Sequence, residues 1–302
     1  MTTPPTSASI AAALLRHAPL AGGQEPHLRA ALAQVTAHPG KLVRAQLVLS
    51  AALRHGLRPS GAERLACAVE YFHVASLVLD DLPCMDDAAL RRGQPCVHRQ
   101  HGDATAILAS LALINRAYAL AGEALAAQSR SVRQAATALL DRCLGPAGLV
   151  GGQAWDLAFA QTDRSAATVA RIAAAKTGAL FELTFLLPAL LARPDAAERR
   201  ELRALCVYFG QLFQITDDLR DVLSSSCAAG KTTGRDRTLS RPNLALALGV
   251  PAARARAARL SRLVARASAR LAARGTRWGY LATAGAALVS GLVLPEETAS
   301  AA

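Results

Sequence analysis

The sequence predicts an all-α protein, because Ala and Leu dominate it and runs of alternating β-branched residues are missing. Apolar residues instead recur three or four positions apart, as at Leu202, Leu205, Phe209 and Leu212. Apolar side chains make up 52% of the 302 residues, which excludes global disorder and provides for a large core. We therefore expect a compact all-α protein with a large core.

Segments rich in Gly, Pro and polar residues mark where the helices should end. The expected breaks are residues 56–61, 91–102, 145–152, 193–195 and 224–242. They divide the chain into roughly ten helices.

The two ends of the chain differ in composition from the rest. Residues 1–8 and 295–302 are expected to be flexible tails around a helical domain at 9–294. A signal peptide would require a basic segment before the first apolar run, and this sequence has none there. The uncharged stretch 278–294 is short and interrupted by Gly, which favours a core helix over a membrane span. The six cysteines form no CxxC pair, so we expect reduced thiols. Taken together, these observations predict a cytoplasmic protein without integral membrane association.

The charge balance favours an anionic partner. Lys and Arg number 34 against 22 Asp and Glu, giving a net charge of +12. Residues 251–278 carry eight Arg and no acid on an amphipathic pattern. This stretch is either a surface for nucleic acid or anionic lipid, or a solvated outer face. We favour the solvated face and expect no nucleic-acid partner.

Two groups of aspartates end or interrupt apolar helical runs. The first group contains Asp80, Asp81, Asp86 and Asp87, and the second contains Asp217, Asp218 and Asp221. Such crowded carboxylates repel one another and need a compensating cation. Oxygen-only ligands without His or Cys favour Mg²⁺, which takes few carboxylates and completes its shell with water and phosphate oxygens. The sequence therefore predicts a magnesium site that binds a diphosphate.

Only three of the basic residues are Lys, and each lies in a segment suited to an anion. Lys41 and Arg44 lie three apart and should share a face near the start of an early helix. Lys176 with Thr177 should precede a helix, and Lys231 lies in a Gly-rich segment. Arg91 and Arg92 follow the first aspartate group. Neither Gly-rich segment has the spacing of a nucleotide-binding loop.

In the order of these motifs the chain resembles the trans-polyprenyl diphosphate synthases, most closely the geranylgeranyl diphosphate synthases of bacterial carotenoid pathways. The resemblance covers roughly residues 38–250. Its motifs are residues 73–77, 80–86, 91–93, 151–153 with Asp156, 176–177, and Gln214 with Asp217. It implies the isoprenoid synthase fold, which is a single large helical bundle around a central hydrophobic cavity. It also implies a homodimer, and condensation of isopentenyl diphosphate with an allylic diphosphate. In such a reaction the diphosphate leaves, the double bond attacks the allylic carbocation, and a proton is lost.

The resemblance also implies the site residues. Mg²⁺ would be bound by Asp80, Asp81, Asp86, Asp217 and Asp221. The allylic diphosphate would be held by Arg91, Lys176, Thr177, Gln214 and Lys231. Isopentenyl diphosphate would be held by Lys41, Arg44, His73 and Arg92. The catalytic set would be Asp80, Asp81, Asp86, Asp217 and Lys176. One Arg expected after Arg44 is missing, and Arg241 stands where relatives often carry Lys.

One choice within the first aspartate group is not obvious. On an ideal helix Asp87, seven residues after Asp80, shares its face better than Asp86 does. Pro83 disturbs the turn, so we follow the family pattern and choose Asp86 as the ligand.

Product length depends on the helix before the first aspartate group. Ser76 and Phe72 lie about 6 and 12 Å from Asp80 at 1.5 Å per residue. Ala75 and Ser76 are small where farnesyl-producing relatives carry bulky side chains, so we expect a deep cavity, a C20 product and Phe72 in its floor. The alternatives are a farnesyl (C15) or longer product, a terpene cyclase, or a noncatalytic basic helical protein.

Overall fold

The computed structural model describes residues 7–223, 239 and 241–282, and these residues are mostly helical. The first half of the chain forms α1 (Ser7–His17), α2 (Pro26–Ala37), α3 (Val43–Arg54), α4 (Pro59–Asp80), α5 (Val97–His101) and α6 (Asp103–Leu125). The second half forms α7 (Arg130–Leu144), α8 (Leu149–Leu157), α9 (Ala166–Ala173), α10 (Ala179–Ala192), α11 (Ala196–Leu223), α12 (Leu244–Leu248) and α13 (Val250–Ala273). The all-α prediction is confirmed.

Three shorter helical segments complete these elements. A π-helical segment, Ala174–Gly178, joins α9 to α10 without a break. Single 3₁₀ turns form at Phe159–Gln161 and Thr276–Trp278.

A small β-hairpin between α4 and α5 was not predicted from the sequence. Strands β1 (Leu90–Arg91) and β2 (Gln94–Pro95) pair antiparallel. The two residues between them, Arg92 and Gly93, both have positive φ, as in the tight turns that match the twist of a hairpin. This turn fixes the positions of Arg91 and Arg92 relative to the end of α4.

Helix α4 runs through the middle of the bundle. Thirteen of its 22 residues are buried, and they lie on all sides of the helix. A helix that is apolar all round belongs in the interior. It packs along α6 on one side and α3 on the other, and its last residue, Asp80, therefore lies at an end of the core.

Two hydrophobic clusters meet at α3 and α10, which contribute to both. The first surrounds α4 and α6, and the second surrounds α11 and α13. Helix α10 contributes Leu183 to the first cluster and Phe185 to the second. Its two faces therefore join both clusters into a continuous interior.

Some predicted boundaries differ from the structure. Helix α1 begins at Ser7, inside the expected N-terminal tail, whereas the C-terminal tail lies outside the described residues. The expected break at 145–152 ends earlier, because α8 begins at Leu149. Most of the uncharged stretch 278–294 also lies outside the described residues. In the described part of the chain all five cysteines are free thiols.

Helix α13 has the predicted amphipathic character. Leu260, Val264 and Leu271 are buried in the second cluster, while Arg262 and Arg266 are exposed. Both α6 and the continuous helical run at 166–192 are long and apolar enough to cross a membrane by composition alone. In the structure they contribute side chains to the two hydrophobic clusters.

An ion pair with a buried carboxylate attaches the end of the described chain to the start of α11. Arg277 donates to both carboxylate oxygens of Glu198, and Trp278 Nε1 donates to the same carboxylate at 2.7 Å. Glu198 is 2% exposed and Trp278 is fully buried. Burial opposes the ionisation of Glu198, but these hydrogen bonds outweigh it and lower its pKa to about 2.

We expect Glu198→Ala to lower the free energy of unfolding by about 2–3 kcal/mol, because it leaves the buried Trp278 N–H unpaired and removes the partner of Arg277. Urea denaturation measures this change. Glu201→Ala is the matched control, since Glu201 pairs with Arg270 and Arg274 at the surface and should cost only about 0–1 kcal/mol. Equal losses in the two variants would contradict the role of the buried carboxylate.

Candidate active site

A cavity of about 670 Å³ lies between the end of α4, helices α6 and α8, the π-helical segment and α11. One end is polar and is lined by Asp80, Asp86, Asp217 and Asp221. Its remaining walls are largely apolar and include Phe72, Ser76, Ile114, Tyr118, Leu144, Leu149, Leu180 and Phe213. The volume is within the range of about 300–1,000 Å³ that is common for small-molecule sites.

The first aspartate group lies where α4 ends. The amide of Asp86 donates to Asp80 O at 2.9 Å, so the chain turns back over the helix end. Asp86 thereby lines the cavity, whereas Asp87 has a φ of 47° and pairs with Arg99. The heptad argument for Asp87 fails because the helix stops at Asp80, and Asp86 faces the cavity as the family pattern predicted.

Asp81 differs from its neighbours, because it is 3% exposed and is not among the residues that line the cavity. Arg91 from β1 donates to both of its oxygens, through Nε at 3.1 and 3.2 Å and through Nη2 at 2.5 Å. Burial lowers the pKa of Arg91, but the Asp81 carboxylate outweighs it and raises the pKa above its usual value. The role of Asp81 as a magnesium ligand stays a prediction.

All three members of the second aspartate group line the cavity, but they differ in burial. Asp217 and Asp221 lie one turn apart on α11 and both line the cavity, as their spacing predicted. Asp218 lines the cavity too but is 2% exposed. It accepts hydrogen bonds from Gln214 Nε2 and from the backbone N–H of Leu244, each at 2.7 Å. Asp218 therefore ties α11 to the start of α12.

Two cations lie among the carboxylates. Lys176 Nζ is 3.7 Å from Asp80 and 3.2 Å from Asp156. Arg241 contacts Asp86 at 3.3 Å and Asp156 at 3.8 Å, and donates to Met85 O at 2.6 Å. Burial raises the pKa of Asp80 to about 6, although the Lys176 charge opposes this shift. Lys176 and Arg241 thus compensate the negative charge of these aspartates.

Lys176 and Thr177 lie within the π-helical segment, directly ahead of α10. The hydroxyl of Thr177 donates to Gln214 Oε1 at 2.7 Å, which connects this segment to α11. Gly152 of α8 packs against it, and a Cβ at this position would lie 2.2 Å from the Lys176 backbone nitrogen. The glycine therefore serves close packing, not a turn.

A second basic group lies beside the aspartates. Arg44 Nη1 donates to His73 Nε2 at 3.4 Å, and the Arg44 guanidinium lies 4.2 Å from the centre of the Phe181 ring. Burial lowers the pKa of Arg44 to about 10, and burial together with nearby Arg44 and Arg92 holds the pKa of His73 well below its usual range. The His73 ring is therefore neutral. Arg92 Nη1 donates to His38 O at 2.7 Å.

Lys41 does not join this group in the way its spacing predicted. Leu42 has a φ of 54°, and α3 begins only at Val43. Lys41 consequently precedes the helix and is exposed, while Arg44 is buried within it. The expected common helical face of these two residues is not formed. Lys231 lies outside the described residues.

The three residues expected to set product length separate in the structure. Ser76 and Phe72 line the cavity, whereas Ala75 is fully buried in the hydrophobic cluster around α4 and is not part of the cavity lining. Tyr118 of α6 lines the cavity and contacts Phe72, with ring centroids 4.9 Å apart.

Sequence reasoning missed several residues of this site. Asp156 belonged to a recognised motif but was given no role, and Arg241 was noted only as a departure from the family. Asp156 and Arg241 contact each other, and Arg241 also contacts Asp86 of the first aspartate group. Tyr118 carried no signal, because one Tyr on an apolar helix is indistinguishable from a core residue.

The donor set fits a hard cation that is bound partly by carboxylates and partly by the oxygens of a diphosphate. Within the described part of the chain no three His, Cys, Asp or Glu side chains lie close enough to enclose an ion by themselves. The carboxylates of Asp80 and Asp86 come from one side of the cavity, and those of Asp217 and Asp221 come from α11. Mg²⁺ characteristically takes one or two carboxylates and fills its remaining positions with water and phosphate oxygens.

Known proteins share both sequence and fold with this chain. The family model described as Polyprenyl synthetase matches residues 25–273. The geranylgeranyl diphosphate synthase of Pseudescherichia vulneris is 41% identical over 221 residues, which cover 72% of this chain and 69% of that protein. The geranylgeranyl diphosphate synthase of Cereibacter sphaeroides is 38% identical over 248 residues, which cover 82% of each.

Solved structures agree with this likeness. The geranyltransferase of Helicobacter pylori, complexed with magnesium and isoprenyl diphosphate, has a TM-score of 0.82 at 25% identity and covers 94% of this chain and 93% of that one. An apo FPP/GFPP synthase of Zymomonas mobilis has a TM-score of 0.77 at 31% identity, with 94% and 95% covered.

We expect Gly152→Ala to lower the free energy of unfolding by about 1–3 kcal/mol, because the added methyl group must displace the Lys176 backbone. Gly122→Ala on α6 is the control, since a Cβ there meets no atom within 4 Å. That variant should be neutral or stabilising by up to about 1 kcal/mol, as Ala is the better helix former. Urea denaturation compares them, and an unchanged Gly152→Ala variant would contradict the close packing.

Proposed function

The chain belongs to the polyprenyl synthetase family, and from this premise we propose that it is a prenyltransferase that forms geranylgeranyl diphosphate. The reaction joins isopentenyl diphosphate to an allylic diphosphate and releases diphosphate. The observation that carries the proposal is the cavity itself, which has aspartates and cations at one end and apolar walls beyond them. A charged head group and a prenyl chain require this division.

Mg²⁺ is the proposed cofactor, with Asp80, Asp81 and Asp86 on one side and Asp217 and Asp221 on the other as its ligands. The ion supplies positive charge that stabilises the departing diphosphate. The solved relative from Helicobacter pylori is complexed with magnesium, which supports this choice.

The cationic side chains near the aspartates are proposed to hold the allylic diphosphate. These are Arg91, Lys176 and Lys231, with Thr177 and Gln214 as neutral hydrogen-bond partners. Arg241 lies close enough to Asp86 and Asp156 to join them. Fixed positive charges at the position where negative charge develops accelerate the cleavage of the allylic C–O bond.

The group around Arg44 is proposed to bind isopentenyl diphosphate, together with His73, Arg92 and Lys41. Because the pKa of His73 is held low by burial, its ring acts as a neutral hydrogen-bonding group. The isopentenyl double bond then attacks the allylic carbocation, a new C–C bond forms, and the proton leaves toward the diphosphate.

A C20 product is supported by the names of the curated relatives and by the length of the cavity. The relatives described above are geranylgeranyl diphosphate synthases. Ser76, one turn from Asp80, leaves the cavity open as far as Phe72. A farnesyl product would require a bulky side chain one turn before Asp80, at the position where this chain carries Ser76.

We propose a cytoplasmic homodimer. Helix α6 exposes Ile107, Leu108 and Leu111, whose exposed fractions are between 41% and 56%. Three large apolar side chains on consecutive turns favour contact with a second copy of the chain over contact with water.

The first test replaces one aspartate of the first group. Asp86→Ala should lower kcat/KM by about 10²–10³, because a charge that organises the departing diphosphate is lost. Asp87→Ala is the matched control and should change kcat/KM by less than about fivefold, since it pairs with Arg99 away from the cavity. The assay measures Mg²⁺-dependent incorporation of labelled isopentenyl diphosphate. Full activity in a folded Asp86→Ala protein would contradict the proposed role.

The second test concerns product length. Ser76→Phe should shift the main product from C20 to C15, because a ring one turn from Asp80 would fill the cavity about 6 Å below the carboxylate. Ser76→Ala removes only the hydroxyl, which donates to His73 O, and should retain the C20 product. Chromatography of the dephosphorylated products compares them. An unchanged product from Ser76→Phe would show that the prenyl chain takes another path.

A further inference from the structure

The far end of the cavity is formed by two aromatic rings from different helices. Phe72 lies two helical turns, about 12 Å, from Asp80 along α4. The ring of Tyr118 stands edge to face against it at an interplanar angle of 75°. Both side chains line the cavity, so a prenyl chain that grows from the aspartate end along α4 meets these rings together.

The two rings are held in different ways. Phe72 is 4% exposed and belongs to the hydrophobic cluster around α4, so its position is fixed by the core. Tyr118 is 45% exposed and packs against Phe72 on one side only. Its ring can therefore be removed without emptying the core, whereas removal of the Phe72 ring would leave a void between packed helices.

The hydroxyl of Tyr118 extends the barrier toward a third helix. Partial burial raises the pKa of Tyr118, and the Asp141 carboxylate on α7 raises it further. Leu144, one turn after Asp141 on α7, also lines the cavity. Tyr118 on α6 and Leu144 on α7 therefore line the same cavity as Phe72 on α4.

Resting on the proposed function, we propose that Tyr118 sets the upper limit of product length, because its ring closes the cavity and stops the prenyl chain at C20. Residues on α4 set how far the chain can pass along that helix. Tyr118 approaches from α6 and decides whether the chain can continue beyond Phe72. It is a specificity-determining residue and takes no part in the chemistry at the aspartates.

The test measures products from the full-length protein with Mg²⁺, geranyl diphosphate (C10) and excess isopentenyl diphosphate, so that C15, C20 and longer chains are all products. Tyr118→Ala should raise the ratio of products longer than C20 to C20 itself by about tenfold or more, since forcing a chain into a filled space is strongly disfavoured in the wild type. Tyr118→Phe keeps the ring and should keep the C20 product. Tyr118→Trp enlarges the barrier and should raise the C15 share.

Leu111→Ala is the matched control on the same helix. Leu111 lies two turns before Tyr118 and is 56% exposed, but it does not line the cavity. It should leave the product at C20, and light scattering would show whether either variant changes the mass of the assembly. If Leu111→Ala lengthens the product as much as Tyr118→Ala does, the barrier is the α6 surface and the assignment to Tyr118 is wrong.

Tyr118→Leu provides a second variant that keeps an apolar side chain in case Tyr118→Ala does not fold. C20 alone from a folded, active Tyr118→Ala or Tyr118→Leu protein would overturn the inference. Failure of the proposed function has a different signature, because the wild type would then give C15, or no product, in the same assay. In both variants the KM for isopentenyl diphosphate should stay near the wild-type value, since Tyr118 does not contact Arg44 or Arg92.

Discussion

The compensation of aspartate charge by Lys176 and Arg241 is the constraint on which this site depends. Asp80, Asp86 and Asp156 lie in a poorly solvated part of the cavity, where their mutual repulsion is stronger than in water. The rise in the pKa of Asp80 to about 6 reflects that burial. Lys176 and Arg241 each contact two of these carboxylates, so a small number of cations holds several acids in place.

The same reasoning applies to Asp81 and Arg91. Each is the other's partner, and Asp81 is almost completely buried. The family pattern gives Asp81 to the metal and Arg91 to the diphosphate. A buried carboxylate without its guanidinium is costly, so if Arg91 turned to a diphosphate, a metal cation at Asp81 would replace the charge that Arg91 withdraws.

Sequence patterns predicted the helices well and picked out several residues that line the cavity, because these depend on local periodicity and on motif order. They failed where an ideal helix was assumed. Asp87 was favoured by heptad spacing, yet α4 ends at Asp80. Lys41 and Arg44 were placed on one face, yet the left-handed Leu42 delays the start of α3. The π-helical turn at Lys176 depends on close packing with Gly152, which is a tertiary contact that no local pattern contains.

The net charge of +12 was the weakest guide to function, and the structure explains why. Arginines on α13 point outward while its apolar stripe packs in the cluster with α11, and Arg270 and Arg274 pair with Glu201. Exposed charges of this kind are screened and contribute little to a specific site. A few cations stand apart from these, because Arg44, Arg91, Lys176 and Arg241 are partly or fully buried and all line the cavity. Because a desolvated charge interacts far more strongly than a solvated one, the proposed binding of diphosphates rests on the positions of these four side chains and not on the sum over the chain.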